Sequence, residues 1–135
     1  LHLCDRRQRQ MCIRDRYDAD VFLSSANAMT SDGILVNIDG NSNRVSCIAQ
    51  GPKKVIFIVG MNKVCSDLDS AMKRARNIAA PTNAQNFDVK TPCKTTGKCF
   101  DCKSPDTLCC QFLITRYSRH VGRIHVILVN DTLGY

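Results

Sequence analysis

The sequence predicts an α/β domain, and three features predict it. The run VIFIV at 55–59 is continuously apolar, as in a strand of a sheet covered on both faces. A helical pattern follows directly at 66–79. Two further strand-like runs occupy 111–117 and 123–129. Strand, helix and strand in that order describe a sheet layered with helices.

Taken in order, residues 19–25 form a short apolar run and read as a strand. Residues 25–33 are polar and end on Asp32-Gly33, a turn signal. Residues 34–38 give a second strand, closed by the turn pair Asp39-Gly40. Residues 45–50 suit either a short helix or a strand, and Gly51-Pro52 punctuates the chain. Residues 54–59 are the clearest strand.

In the helix at 66–79, Leu68, Ala71, Met72, Ala75, Ile78 and Ala79 recur at steps of three and four and make one apolar stripe. Ser66 can cap its first turn with Asp69 at the capping-box position, Asp69 and Lys73 form an i,i+4 pair, and Pro81 ends the pattern. Residues 82–110 are polar and cysteine-rich. In the last strand Ile124, Val126 and Leu128 face one way and His125, Ile127 and Val129 the other.

A chain of 135 residues suits one small domain, and 44% hydrophobic with 23% charged residues excludes wholesale disorder. No apolar run is long enough for a membrane-spanning helix, so no membrane insertion is expected. Five arginines and two aspartates sit in residues 1–16, against 14 basic and 10 acidic residues in the other 119. The formal charge of +7 is thus partly the property of one tail, and charge alone does not indicate a nucleic-acid partner.

Residues 1–16 have neither helical nor strand periodicity, and no apolar core of a signal peptide. The string RQRQMCIRDR at 7–16 resembles translated sequencing-adapter DNA. The expectation is that residues 1–16 are not part of the domain, and that 17–135 form the C-terminal portion of a longer one. On that expectation strands 21–23 and 54–59 lose neighbours and leave unpaired edges and exposed apolar surface.

Two constellations carry chemistry. In TSDGILVNIDGNSNRV at 30–45, two Asp-Gly pairs bracket a strand. Glycines such as Gly40 let a backbone approach a ligand, and Asn37, Asp39, Asn43 and Arg44 supply polar groups for a small anion. The same string also reads as a plain hairpin. The second constellation is the loop at 91–110, with Cys93, Cys99, Cys102, Cys109 and Cys110 spaced Cys-x5-Cys-x2-Cys-x6-Cys-Cys. A Cys-x2-Cys step aims two thiolates at one ion, and four thiolates complete a zinc site or hold an iron–sulfur cluster. Cys93, Cys99, Cys102 and Cys109 are the candidate ligands, with Cys110 spare. Cys99 and Cys102 alone would make a redox dithiol, and an unligated loop is a third reading. Nine cysteines beside a core-forming sequence favour a metal or redox role in the cytoplasm over a secreted disulfide scaffold. Cys47 and Cys65 read as small buried hydrophobes, His125 as structural, and the sequon at Asn130 as idle.

From Asp20 onward the chain resembles the LUD (lactate utilisation, DUF162) domain family. The residues that carry this are 30–45, QGPKKV at 50–55, NIAAP at 77–81, the loop from Thr91-Pro-Cys93 to Cys109, HVILV at 125–129 and Leu133-Gly134. The resemblance implies a fold like that of the sugar-phosphate isomerase and CoA-transferase superfamily. It also implies a link to oxidation of L-lactate to pyruvate alongside iron–sulfur partner proteins. One departure stands out: Ser42 occupies a position where the family tends to have glycine.

The expected function is an accessory subunit of cytoplasmic lactate oxidation. It would bind a small anionic metabolite through Asn37, Asp39, Gly40, Asn43 and Arg44, and a metal or iron–sulfur cluster through the loop. The rival is a non-catalytic module that binds an anion or braces a partner around a structural zinc loop. A proton-abstracting enzyme comes third, because the chain has no glutamate and offers only Asp32 and Asp39 nearby.

Overall fold

The computed structural model describes residues 17–135. The expectation for residues 1–16 falls outside them. Two sheets and a long helix form the fold. Strands β1 (Val21–Ser24), β4 (Lys54–Gly60) and β7 (Ile124–Val129) make a parallel sheet in the order β1-β4-β7. Strands β2 (Ala28–Thr30), β3 (Leu35–Asp39), β5 (Val64–Cys65) and β6 (Gln111–Thr115) make a mixed sheet in the order β5-β2-β3-β6. Its β2–β3 and β3–β6 pairs are antiparallel, and β2–β5 is parallel. This is the α/β class read from the sequence.

The alternation along β4 from Lys54 to Val59 decides the layering. Val55, Phe57 and Val59 are buried and pack with Met29, Leu35 and Ile48 in a core that joins the two sheets. Ile48 belongs to helix α1 (Asn43–Gln50), so the segment left open between helix and strand is a helix. Arg123 clamps its far end by donating to the carbonyls of Cys47 and Ile48 in the last turn and of Pro52 just beyond it. A second core lies on the other face of the mixed sheet. There Ala28, Val36 and Ile38 meet Ala71 and Ala75. Alanine at the contact lets the helix lie close to the sheet.

That helix departs from expectation in three ways. It begins at α2 (Leu68–Arg74) with Asp67 as its cap, not Ser66, because the Asp67 carboxylate accepts from the Ser70 N–H at 2.8 Å. Its Asp69–Lys73 pair closes at 2.5 Å, as the spacing predicts. It does not stop at Pro81. A π-turn at Ala75–Ala79 leads into α3 (Ala80–Ala84), and Pro81 sits in the first turn of α3, where a missing N–H is tolerated. The inserted turn also rotates the stripe, leaving Ala79 buried and Ile78 exposed.

Two expectations about β4 are corrected. It is not an edge, since β1 and β7 flank it. Nor are both its faces covered: on the outer face Leu23 is 64% exposed, Ile58 40% and Ile127 51%. β2 lies in a stretch read as loop, and a short helix α4 (Pro92–Thr96) interrupts the cysteine loop. Cys47 is buried and Cys65 half-buried, while His125 is exposed. No described helix is long and apolar enough to cross a membrane.

Candidate functional site

The three parallel strands run the same way, so their carboxyl ends open on one region, the usual ligand position of an open α/β sheet. β1 leads there into Ser25 and Asn27, β4 into Lys63, and β7 into Gly134 and Tyr135. With Arg44, Ile38, Asn83, Leu108 and Cys109 these residues line a cavity of about 400 Å³.

Its chemistry is cationic. Lys63 is only 5% exposed, and its Nζ donates to Ser25 Oγ at 3.1 Å. Among the described residues it makes no ion pair. Burial first, and then the nearby Arg74 and Arg44 guanidinium groups, hold its pKa below the usual lysine value. Asn27 organises the cations. Its carbonyl accepts from Arg74 Nη1 at 2.6 Å, and its Oδ1 accepts from Arg44 Nη2 at 3.2 Å and from the Ile38 N–H at 2.8 Å. Buried positive charge without a carboxylate is costly unless an anion completes it.

The turn at 39–44 aims Arg44. Asp39 Oδ2 accepts from the N–H of Arg44 at 2.8 Å and of Val45 at 3.1 Å, capping α1 from outside it. Ser42 takes the left-handed conformation there, φ 62°. Gly40 presses on the backbone of Leu108, where a Cβ would lie 3.4 Å from the Leu108 carbonyl oxygen. Of the five residues expected to bind an anion, Arg44 alone lines the cavity. Asp39 and Gly40 shape the turn, and Asn43 is exposed with its Oδ1 accepting from the adjacent Arg44 N–H at 2.9 Å. Asn37 is 0% exposed, and neither polar atom of its amide has a partner among the described residues. Sequence reasoning missed Ser25, Asn27, Lys63 and Tyr135. The available signal was their place just after apolar strands.

The cysteine loop folds against the same region. Cys93, Cys99, Cys102 and Cys109 all line a second void of about 40 Å³ with Arg76, Thr91 and Thr107. Such a space exceeds the roughly 10–15 Å³ that one water needs. Burial, and then the neighbouring sulfurs of Cys99, Cys93, Cys102 and Cys110, push the Cys109 thiol up to about 11. Cys99 Sγ accepts from the Asp101 N–H and from Arg76 Nη2, each at 3.5 Å. The turn inside the Cys-x2-Cys step puts Asp101 at φ 52°. The four-sulfur donor set suits a thiophilic ion in its chemistry. In placement it is not ready-made: among the described residues no group of three or more His, Cys, Asp or Glu side chains is arranged to hold a metal. The seven described cysteines carry free thiols, and Cys110 is exposed and does not line the void.

The two voids share a wall made of Ala80, Leu108 and Cys109. The Cys110 N–H also donates to the Asp39 carbonyl at 3.0 Å, which ties the cysteine loop to the turn that aims Arg44.

A family model described as LUD domain matches residues 3–129. The matched span takes in much of the tail that the sequence reading sets apart. No curated protein and no solved structure matches the chain.

Proposed function

The chain belongs to the LUD domain family, which is associated with lactate utilisation, and from that premise we propose that it is an accessory subunit of cytoplasmic L-lactate oxidation. In this reading the cavity at the strand ends takes a small carboxylate, and Cys93, Cys99, Cys102 and Cys109 hold a metal ion or iron–sulfur cluster beside it. Iron–sulfur proteins are the partners that such a subunit serves. One observation carries the reading: an anion-seeking cavity and a four-thiol void lie back to back across Leu108 and Cys109.

The chain's own residues do the following. Arg44 and Lys63 attract and orient the carboxylate, with Asn27 fixing the Arg44 guanidinium. Arg76 and the Asp101 N–H donate hydrogen bonds to the Cys99 sulfur. When bound, zinc supplies a structural staple for the loop, and an iron–sulfur cluster supplies a one-electron carrier.

The test is metal content and visible absorption of protein purified without oxygen, followed by lactate turnover in the complete oxidising system. Bound iron, and turnover that falls with Arg44→Ala, are expected. Absence of both iron and zinc removes the metal half of the reading. A second reading draws on the thiol placement, which holds no ready-made ligand group. In it the chain is an anion-binding or partner-bracing module and the loop is structural. Full turnover with Arg44→Ala favours that module.

A further inference from the structure

We propose that Lys63 is a covalent capture residue, whose amine condenses with the carbonyl of a small 2-oxo acid while Arg44 takes the acid's carboxylate. The inference rests on reading the strand-end cavity as an anion site and adds a reaction to it.

Four features lead there. Lys63 is buried yet lines a cavity of about 400 Å³, so its amine meets a ligand and little else. Its one side-chain hydrogen bond among the described residues goes to Ser25 Oγ, a hydroxyl that leaves the amine free to lose its proton. No described carboxylate pairs with it, while Arg74 and Arg44 stand near. A desolvated lysine beside other cations is an environment that activates an amine as a nucleophile. Gly134 lies directly against the amine, and a Cβ there would sit 3.4 Å from Nζ.

Arg44 supplies the complementary group. Its Nη2 is committed to Asn27 and Ile38, but among the described residues its Nε and Nη1 make no hydrogen bond. Either of them can donate a single charge-assisted hydrogen bond to a carboxylate. A ligand with a carbonyl next to its carboxylate can therefore engage Arg44 and Lys63 together. One lacking the carbonyl can only be held ionically.

The step balances without a co-reactant. The Nζ lone pair forms a C–N bond to the carbonyl carbon, and the C=O π electrons move onto oxygen. That oxygen takes a proton from the new ammonium, relayed by the Ser25 hydroxyl. Transfer of the second nitrogen proton releases the oxygen as water while the C=N bond forms. No electrons are gained or lost overall.

The experiment incubates the full chain with pyruvate and sodium cyanoborohydride, which reduces an imine to a stable amine, and maps the adduct by peptide mass spectrometry. Lys63 is expected to carry the bulk of the adduct. The adduct should be lost in Lys63→Arg and reduced when L-lactate, which has no carbonyl, is added as competitor. Mapping on the unsubstituted chain decides the matter even if Lys63→Arg fails to fold. A parallel arm measures L-lactate binding by ligand-observed NMR. Lactate binding with no adduct, or with adduct spread evenly over exposed lysines, overturns the covalent step and leaves the anion site standing. No lactate binding and no adduct overturns both.

Discussion

The carboxylate of Asp39 holds the backbone N–H of Arg44 at 2.8 Å, so one residue at the end of β3 both caps helix α1 and orients the main chain from which the cavity's guanidinium extends. Asp39 also receives the Val45 N–H, and its negative charge lies near the positive end of the helix. Asp39→Ala leaves these donors without their acceptor and is expected to destabilise the fold by about 1–2 kcal/mol in urea denaturation. Anion affinity should fall as well, because Arg44 loses its anchor. Unchanged affinity with lowered stability would separate the capping role from the binding role.

Ser42 pays the strain of that turn. At φ 62° and ψ 1° it occupies a conformation that glycine adopts freely. Relief of left-handed strain, less the extra freedom glycine adds to the unfolded chain, predicts that Ser42→Gly stabilises by about 0.5–1 kcal/mol. The urea midpoint should rise with an unchanged slope. A lower midpoint would contradict the strain argument.

Asn37 is a polar side chain in a hydrophobic place. Its neighbour Leu35 on the same face belongs to the core between the sheets, and both polar atoms of the Asn37 amide lack partners among the described residues. Asn37→Val removes the unsatisfied groups and adds a β-branched residue to a central strand. A gain of about 1–3 kcal/mol is expected. If thermal unfolding shows a loss instead, Asn37 has a partner that matters to the fold.

Lys63 makes stability depend on pH. Its folded pKa is depressed below 10.5, by burial first and then by Arg74 and Arg44. Between the folded and unfolded values the unfolded chain binds more protons, so stability rises with pH there. The penalty of the buried charge is fully present below the folded value and is relieved as the pH climbs towards 10.5. Lys63→Met should raise stability at neutral pH and flatten that rise. Denaturation curves at several alkaline pH values test the sign, and an identical slope in the variant refutes the assignment.

Much of the architecture is legible because apolar runs announce it: β1, β3, β4, β6 and β7 fall on the runs read as strands. β2 escapes because Ala28, Met29 and Thr30 are all buried, which erases the alternation that marks a half-exposed strand. Helix α1 stays ambiguous because its N-terminal acceptor, Asp39, lies outside the helix and its own cap position makes no side-chain bond. Pro81 misleads because a π-turn resets the helix before it. At the site, Cys93, Cys99, Cys102 and Cys109 line one void, but among the described residues they are not arranged as a metal-holding group. Lys63 is invisible in sequence, since only the fold removes its water and brings Arg44 and Arg74 near. Asn37 is legible as a polar group, but only the fold shows that it is buried in the core and does not line the cavity.

The partition formed by Leu108 and Cys109 has a thermodynamic corollary. Each of these residues presents atoms to both compartments. Whatever factor an occupant of the sulfur side imposes on carboxylate affinity, carboxylate must impose on that occupant in equal measure. A group bonded to Cys109 therefore alters a surface that both compartments share.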